Sequence, residues 1–326
     1  MPWFGGSAAV WTTCLVFFQL VLLCLSLALL PLIPEASWKP DGAGNPVWRI
    51  LGLRSVTIGL PYFLLSTTNP LLQAWFLRAY PQRSPYRLFA LSNLASMLAL
   101  FGYPLAIEPW ASTSAQARTW SLVYVAFVVL CAAAGWHSLR RPPAMQPDAL
   151  RLAGEAATPL PTPGEQLLWV ALAAMGAVLL LAVTNHLSQD IAAIPLLWVL
   201  LLGIYLLTFI LCFDGRRWYR RDLFLCLLAP ALCVMASLWL VDPNSYFFQF
   251  GLLFQIALFC AGLFIACMFC HGELSRLRPA PRHLTRFYLL IALGGAAGSL
   301  LVGIVAPLVL PGYFELLLGL AALAAP

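Results

Sequence analysis

Apolar residues run along this chain in blocks of membrane-spanning length, and polar residues collect between the blocks. A helix needs about 20 mainly apolar residues to cross a hydrocarbon layer about 30 Å thick. Blocks on that scale fall at 8–33, 49–76, 86–107, 119–137, 165–186, 194–213, 222–241, 246–270 and 284–310, with a shorter one at 313–325. The pattern predicts an all-α polytopic membrane bundle of about ten transmembrane helices. The first block does not read as a signal peptide, because no basic residues precede it and no small-x-small site leads into a soluble domain. Residues 138–164 break the pattern with prolines and mixed charge. They predict a cytoplasmic linker between a first membrane half, 1–137, and a second, 165–326.

Composition excludes a water-soluble protein. Apolar residues make up 62% of the chain and charged residues 9%, against about 25% charged in soluble domains. The formal charge of +6 comes from short scattered clusters and forms no stripe suited to nucleic acid. The distribution of that charge predicts orientation. Arg78, Arg83 and Arg87, then Arg140, Arg141 and Arg151, then Arg216, Arg217, Arg220 and Arg221, then Arg276, Arg278, Arg282 and Arg286 occupy alternate connections. The intervening connections offer little beyond Arg118, Asp190 and Asp242. The positive-inside rule places the arginine-rich side, and with it the N-terminus, in the cytoplasm. Trp38, Trp48, Trp110, Trp120, Trp136, Trp218 and Trp239 lie near predicted span ends, where amphipathic rings favour the headgroup level.

The candidate chemistry is sparse. Nine cysteines lie in or beside apolar blocks and read as free thiols. Cys267, Cys270 and His271 match the c-type haem spacing, but at the predicted cytoplasmic end of a span, so chance explains them better and no cofactor is expected. In the stretch LSTTNPLLQ (65–73), Ser66, Thr67, Thr68 and Asn69 lie between Pro61 and Pro70, with Gln73 beyond. A helix broken there would expose backbone and side-chain polar groups to a solute. The alternative is a proline kink repaired by the Ser and Thr side chains. Asn93, Gln19 and Gln255 are isolated polar groups that suit interhelical hydrogen bonds. His186 and Asp190 share a helix face if the helix reaches that far, with Asp190 as a cap of the next helix the alternative. His271 and Glu273 open a predicted loop, HGELSRLRP. Glu273 there suits an ion pair with Arg276 or Arg278, and the spacing of the two residues does not suit a metal. Gly294, Gly295 and Gly298 in ALGGAAGSL form a small-residue packing face.

Several stretches also resemble the membrane region of the bacterial fused MFS/spermidine synthase family. They are VWTTCLVFFQ (10–19), GLPYFLLS (59–66), PLLQAWF (70–76) and ALSNLAS (90–96), then AVTNH (182–186), DIAAIPLLW (190–198), YLLTF (205–209), CHGELSRLRP (270–279) and LTRFY (284–288). The resemblance implies a major-facilitator-like fold with two helices missing or shortened in the first half. It also implies a bacterial inner-membrane location and a small solute, polyamine-related, with a cytoplasmic synthase-like domain or protein as partner. The chain reaches Pro326 without a strand and glycine-loop domain, so no enzyme activity is expected of it.

Two functional expectations follow. A transporter-like membrane domain would hold a solute among Ser66, Thr67, Asn69, Gln73, Asn93, His186, Asp190, His271 and Glu273. A non-transporting anchor or regulatory module would instead have a dry interior and a docking face around Arg276 to Arg286.

Overall fold

The computed structural model describes residues 7–30, 46–80, 86–140, 160–188, 196–215, 217–240, 251–280 and 283–324. All regular elements among them are helical. These are α1 (Ser7–Ser26), α2 (Pro46–Arg54), α3 (Leu60–Ala79), α4 (Tyr86–Gly102), α5 (Thr113–Arg140), α6 (Pro163–His186), α7 (Leu197–Asp214), α8 (Arg221–Leu240), α9 (Leu252–Arg276), α10 (Leu284–Leu300), α11 (Ala306–Val309) and α12 (Glu315–Ala324). π-helical turns at Ser55–Gly59, Tyr103–Ile107 and Leu301–Val305 extend α2 into α3, prolong α4 and join α10 to α11.

Seven described helices are long and apolar enough to cross a membrane: Tyr86–Ile107, Thr113–Ser138, Pro163–His186, Leu197–Asp214, Arg221–Leu240, Leu252–Arg276 and Leu284–Val309. They coincide with seven of the ten predicted blocks. Val16–Ser26 in the first block is a shorter apolar helix. The last block yields α12, whose ten residues span about 15 Å, half the hydrocarbon thickness. The second block forms α2 and α3, where Arg49, Arg54, Ser66 to Asn69 and Gln73 dilute the apolar run. The chain is therefore a multi-pass α-helical membrane protein.

Three local predictions change. The helix through Pro70 is not broken: α3 is continuous from Leu60 to Ala79, and Ser66, Thr67 and Thr68 donate their hydroxyls to the carbonyls of Tyr62, Leu64 and Leu64. The irregular turn comes earlier, at Ser55–Gly59, and Pro61 follows directly on it, where the widened π turn accommodates a residue with no N–H to donate. The predicted loop after Cys270 is also helical, since α9 runs on through His271 and Glu273 to Arg276. Finally, α6 starts at Pro163 on a capping box. Glu165 N–H donates to Thr162 Oγ1 at 3.2 Å and Thr162 N–H to Glu165 Oε2 at 2.7 Å.

The chain forms two compact units. Unit 1 comprises 1–83 and 103–147, and unit 2 comprises 84–102 and 148–326, so α4 belongs with the later helices. Unit 1 packs α1, α3 and α5 around Leu23, Leu64, Tyr124, Val128 and Cys131. Trp75 and Val16 leave no slack at Gly135, where an added Cβ would lie 3.1 Å from Val16.

Unit 2 has a larger core running from Leu179 and Val183 through Leu201, Met235, Phe259 and Leu263 to Leu316. Close backbone approach holds its helices. A Cβ on Gly294 or Gly298 would collide with the carbonyl oxygens of Val170 or Ala174 in α6, so these two form the packing face of α10, whereas Gly295, grouped with them in the sequence, has nothing within 4 Å. An aromatic layer of Tyr86, Phe89, Phe209, Phe213, Phe287 and Trp169 links α4, α7, α10 and α6. Two contacts define which helix ends meet: Tyr86 Oη donates to the Pro279 carbonyl at 2.6 Å, and Trp169 Nε1 donates to Leu277 at 3.1 Å. The starts of α4, α6, α8 and α10 and the ends of α7 and α9 therefore share one end of unit 2. All seven described arginines of the unit, Arg87, Arg217, Arg220, Arg221, Arg276, Arg278 and Arg286, lie there.

Candidate functional site

The polar side chains proposed from sequence fall into two sets, one in each unit, and a third cluster lies at the arginine-rich end of unit 2. Asp190 lies outside the described residues.

In unit 1 a polar seam runs along α3. Gln19 Nε2 on α1 donates to Thr67 Oγ1 at 3.4 Å, and Thr67 in turn donates to Leu64. Thr68 is buried and donates to the Leu64 carbonyl at 2.7 Å. One turn further, Gln73 Nε2 donates to Asn69 Oδ1 at 2.9 Å. Gln73 is only 1% exposed, and its Oε1 has no hydrogen-bond partner among the described residues. Ser138 Oγ on α5 is a second buried polar atom of this unit without one. Ser66 points outward and bonds only its own helix. The seam arises because small hydroxyls satisfy themselves on the i−4 carbonyl, whereas an amide has four hydrogen-bonding positions that one neighbour cannot fill.

The set in unit 2 is packed more completely. His271 is fully buried on α9 between Tyr205 and Phe209 of α7, stacked on Phe209 at 3.6 Å between ring centroids. Its Nδ1 lies 2.8 Å from Thr208 Oγ1. Thr208 gives its one proton to the Tyr205 carbonyl at 2.7 Å, so Nδ1 carries the imidazole proton and donates to Thr208. The Nε2 lone pair then faces Gly176, where a Cβ would come within 2.9 Å. His186 is buried against Phe259, with ring centroids 4.7 Å apart. Asn93 donates to the Phe89 carbonyl of its own helix at 2.9 Å. These arrangements fix rings and helices in place, while His271 Nε2, like Gln73 Oε1, is buried with no hydrogen-bond partner among the described residues.

Glu273 faces the other way from His271, as their spacing predicts. Its Oε1 accepts from Tyr219 Oη at 2.7 Å and Arg276 Nη1 at 3.2 Å, and it forms an ion pair with Arg221 Nε at 3.2 Å. The pairing with Arg276 was legible in the sequence, but Tyr219 and Arg221 were missed. Tyr219 lies over Gly272, where any side chain would collide with its ring. Burial, and then the hydrogen bond and charge of Glu273, raise the Tyr219 phenol well above its ordinary value.

Sequence reasoning also missed Glu315. This carboxylate is 7% exposed at the start of α12, where Asn185 Nδ2 donates to it at 3.1 Å. Beside it an apolar groove of about 330 Å³ runs between α6, the π turn after α10, and α12, lined by residues including Val178, Val302, Val305 and Leu318.

Described cysteines are all free thiols. Cys267 and Cys270 are fully buried in the core, which places them out of reach of a haem vinyl group. Cys24, Cys226 and Cys233 are exposed on helix faces. Among the described residues, no three His, Cys, Asp or Glu side chains converge in a way that could hold a metal ion. Comparison with known proteins found no matching family model, no matching curated protein and no matching solved structure.

Proposed function

We propose that this multi-pass membrane protein is a transporter-like domain that binds a small polar solute within its helices. The observation that carries the reading is Gln73. Its carbonyl oxygen is buried in a membrane bundle, beside the amide of Asn69, with no hydrogen-bond partner among the described residues. An amide left part-satisfied in a low-dielectric interior is costly, and a ligand donor would relieve it. The described seam holds amides and hydroxyls but no carboxylate, so it suits a neutral hydrogen-bonding solute. The polyamine reading draws on the family resemblance alone. By the positive-inside rule the arginine-rich end of unit 2 faces the cytoplasm, and the bacterial inner-membrane location draws on the family resemblance alone.

A second reading has its own observation. The surroundings of His271 are closely packed, with Phe209 stacked on its ring and Gly176 against Nε2, as a non-transporting anchor or regulatory module for a synthase-like partner would require. Uptake by proteoliposomes separates the two. A panel of labelled neutral polar solutes and polyamines is presented to wild type, Gln73→Leu and Asn69→Ala. The transporter reading expects uptake of at least one solute, lost at least tenfold in Gln73→Leu while the variant elutes as a folded monodisperse species. No uptake of any panel member, or uptake indifferent to both substitutions, favours the module.

A further inference from the structure

The geometry points to a binding site for the phosphate headgroup of an anionic phospholipid at the arginine-rich end of unit 2, built from Arg217, Arg220, Arg221 and Arg276. Seven described arginines meet at this end, against four carboxylates: Glu165, Asp214, Asp222 and Glu273. Three of those carboxylates are already engaged. Glu165 closes the capping box of α6, Asp214 pairs with Arg87 at 3.4 Å, and Glu273 holds Arg221 and Arg276. A substantial positive excess is left.

Arrangement matters more than excess. Glu273, with a side chain only 15% exposed, gathers Arg221 and Arg276 onto a single oxygen. Each guanidinium has five N–H donors in a rigid fork. Arg221 contributes Nε to Glu273 and Arg276 contributes Nη1, so most donors of both remain to be filled. Both side chains are about half exposed, and a shared carboxylate keeps two like charges side by side that would otherwise repel. Tyr219, bonded to the same oxygen and seated on Gly272, anchors the short segment before α8 that also carries Arg217 and Arg220. Arg217 and Arg220 have no carboxylate partner among the described residues. An arginine pair of this kind matches a phosphate in charge and in planar geometry.

The source of the phosphate follows from position. These arginines cap helices that cross the bilayer, which places them at headgroup level. Trp218, 45% exposed and stacked under Arg217 at 4.9 Å, is the amphipathic ring that this level favours. Anionic lipid attracts each such basic residue with enough energy to change affinity about fivefold.

The test uses the full-length protein in nanodiscs and follows thermal unfolding and lipid retention by native mass spectrometry. The lipids are phosphatidylglycerol, zwitterionic phosphatidylcholine, and phosphatidylcholine with free inorganic phosphate added. Arg217→Gln/Arg220→Gln is the principal variant, since it leaves every Glu273 contact intact, and Arg118→Gln in unit 1 is the control for lost charge. Wild type and the control should retain phosphatidylglycerol through detergent exchange and melt several degrees higher in it. The double variant should lose most of that retention, on the order of twentyfold, while melting normally in phosphatidylcholine. Equal behaviour in the two lipids, or a double variant that retains phosphatidylglycerol like wild type, would overturn the proposal. So would stabilisation by inorganic phosphate matching that by the lipid, because the site would then serve a soluble anion.

Discussion

Unit 1 and unit 2 hold their helices together by different means. In unit 2 the backbones of α6 and α10 come so close at Gly294 and Gly298 that no side chain fits between them, and aromatic rings fill the wider gaps. Unit 1 has a smaller core, and a line of side-chain hydrogen bonds through Gln19, Thr67, Thr68 and Gln73 runs beside it. In lipid an apolar face gains little by leaving the solvent, so helices associate through close packing or through polar contacts. Unit 2 uses both routes, since Thr208 with His271 and Asn185 with Glu315 also join its helices, and the close backbone approach at glycine is what sets it apart. Close packing at the glycines closes the space between α6 and α10, whereas the seam along α3 leaves Gln73 Oε1, like His271 Nε2 in unit 2, without a partner among the described residues.

The largest effects should come from breaking the packed unit. Gly298→Val and Gly294→Val each drive a side chain into a backbone carbonyl, which cannot rotate away as a side chain could. A loss of about 3 kcal/mol or more is expected, read as a fall in melting temperature or as aggregation on size-exclusion chromatography. Gly295→Val is the matched control, because nothing lies within 4 Å of its added Cβ. Equal damage from all three would mean that helix propensity, and not close approach, explains the glycines.

Next in size is the Thr208 and His271 pair. Thr208→Val removes the acceptor of the Nδ1 proton and leaves a buried donor unmatched, at a cost of about 1–3 kcal/mol. In a His271→Phe background the same substitution should cost much less, since the unmatched group is gone. Additive losses in a thermal double-mutant cycle would contradict the assigned proton position.

A pH experiment probes the arginine-rich end of the same unit. The Tyr219 phenol is raised by burial and by Glu273. Below the ordinary tyrosine value near 10 the full contribution is present. As pH rises beyond it, the unfolded phenol ionises while the folded one stays protonated, so stability declines. Tyr219→Phe should lose part of this decline, and identical alkaline profiles for variant and wild type would refute the linkage.

How much of this was legible in sequence also divides by unit and by scale. Seven spans, the glycine face of α10 and the clustering of arginines at one end follow from local composition, which needs no tertiary information. The capping box Thr162 to Glu165 is equally local, yet the apolar pattern begins only at Glu165, because proline reads there as a breaker. His271 and Glu273 read as a loop for a related reason: polar residues after an apolar run look like its end, and the helix outlasts the hydrocarbon-like stretch by six residues. Tyr219 over Gly272, Glu315 on Asn185 and Thr208 on His271 are beyond reach, because each joins residues far apart in the chain. The continuous helix through Pro70 shows a last limit. Proline and four small polar residues are compatible with a break or with a repaired helix, and only the bonds from Ser66, Thr67 and Thr68 to preceding carbonyls decide it.

The smallest expected effect bears most directly on the contrast between the units. If the seam of unit 1 mainly joins helices, its best interhelical bond, Gln19 to Thr67, should be worth about 0.6 kcal/mol, the typical value for such bonds in membranes. Gln19→Leu, Thr67→Val and the double variant form a cycle that measures it by thermal unfolding in detergent. Because Thr67 also bonds its own helix, its oxygen is not orphaned when Gln19 is removed, and the single substitutions should stay mild. A coupling near the expected value, together with lost solute uptake in Gln73→Leu, would assign adjacent turns of α3 to holding the bundle and to binding. A coupling of several kcal/mol would make the seam as structural as the glycines of unit 2, and the distinction between the seam and the glycine packing would fail.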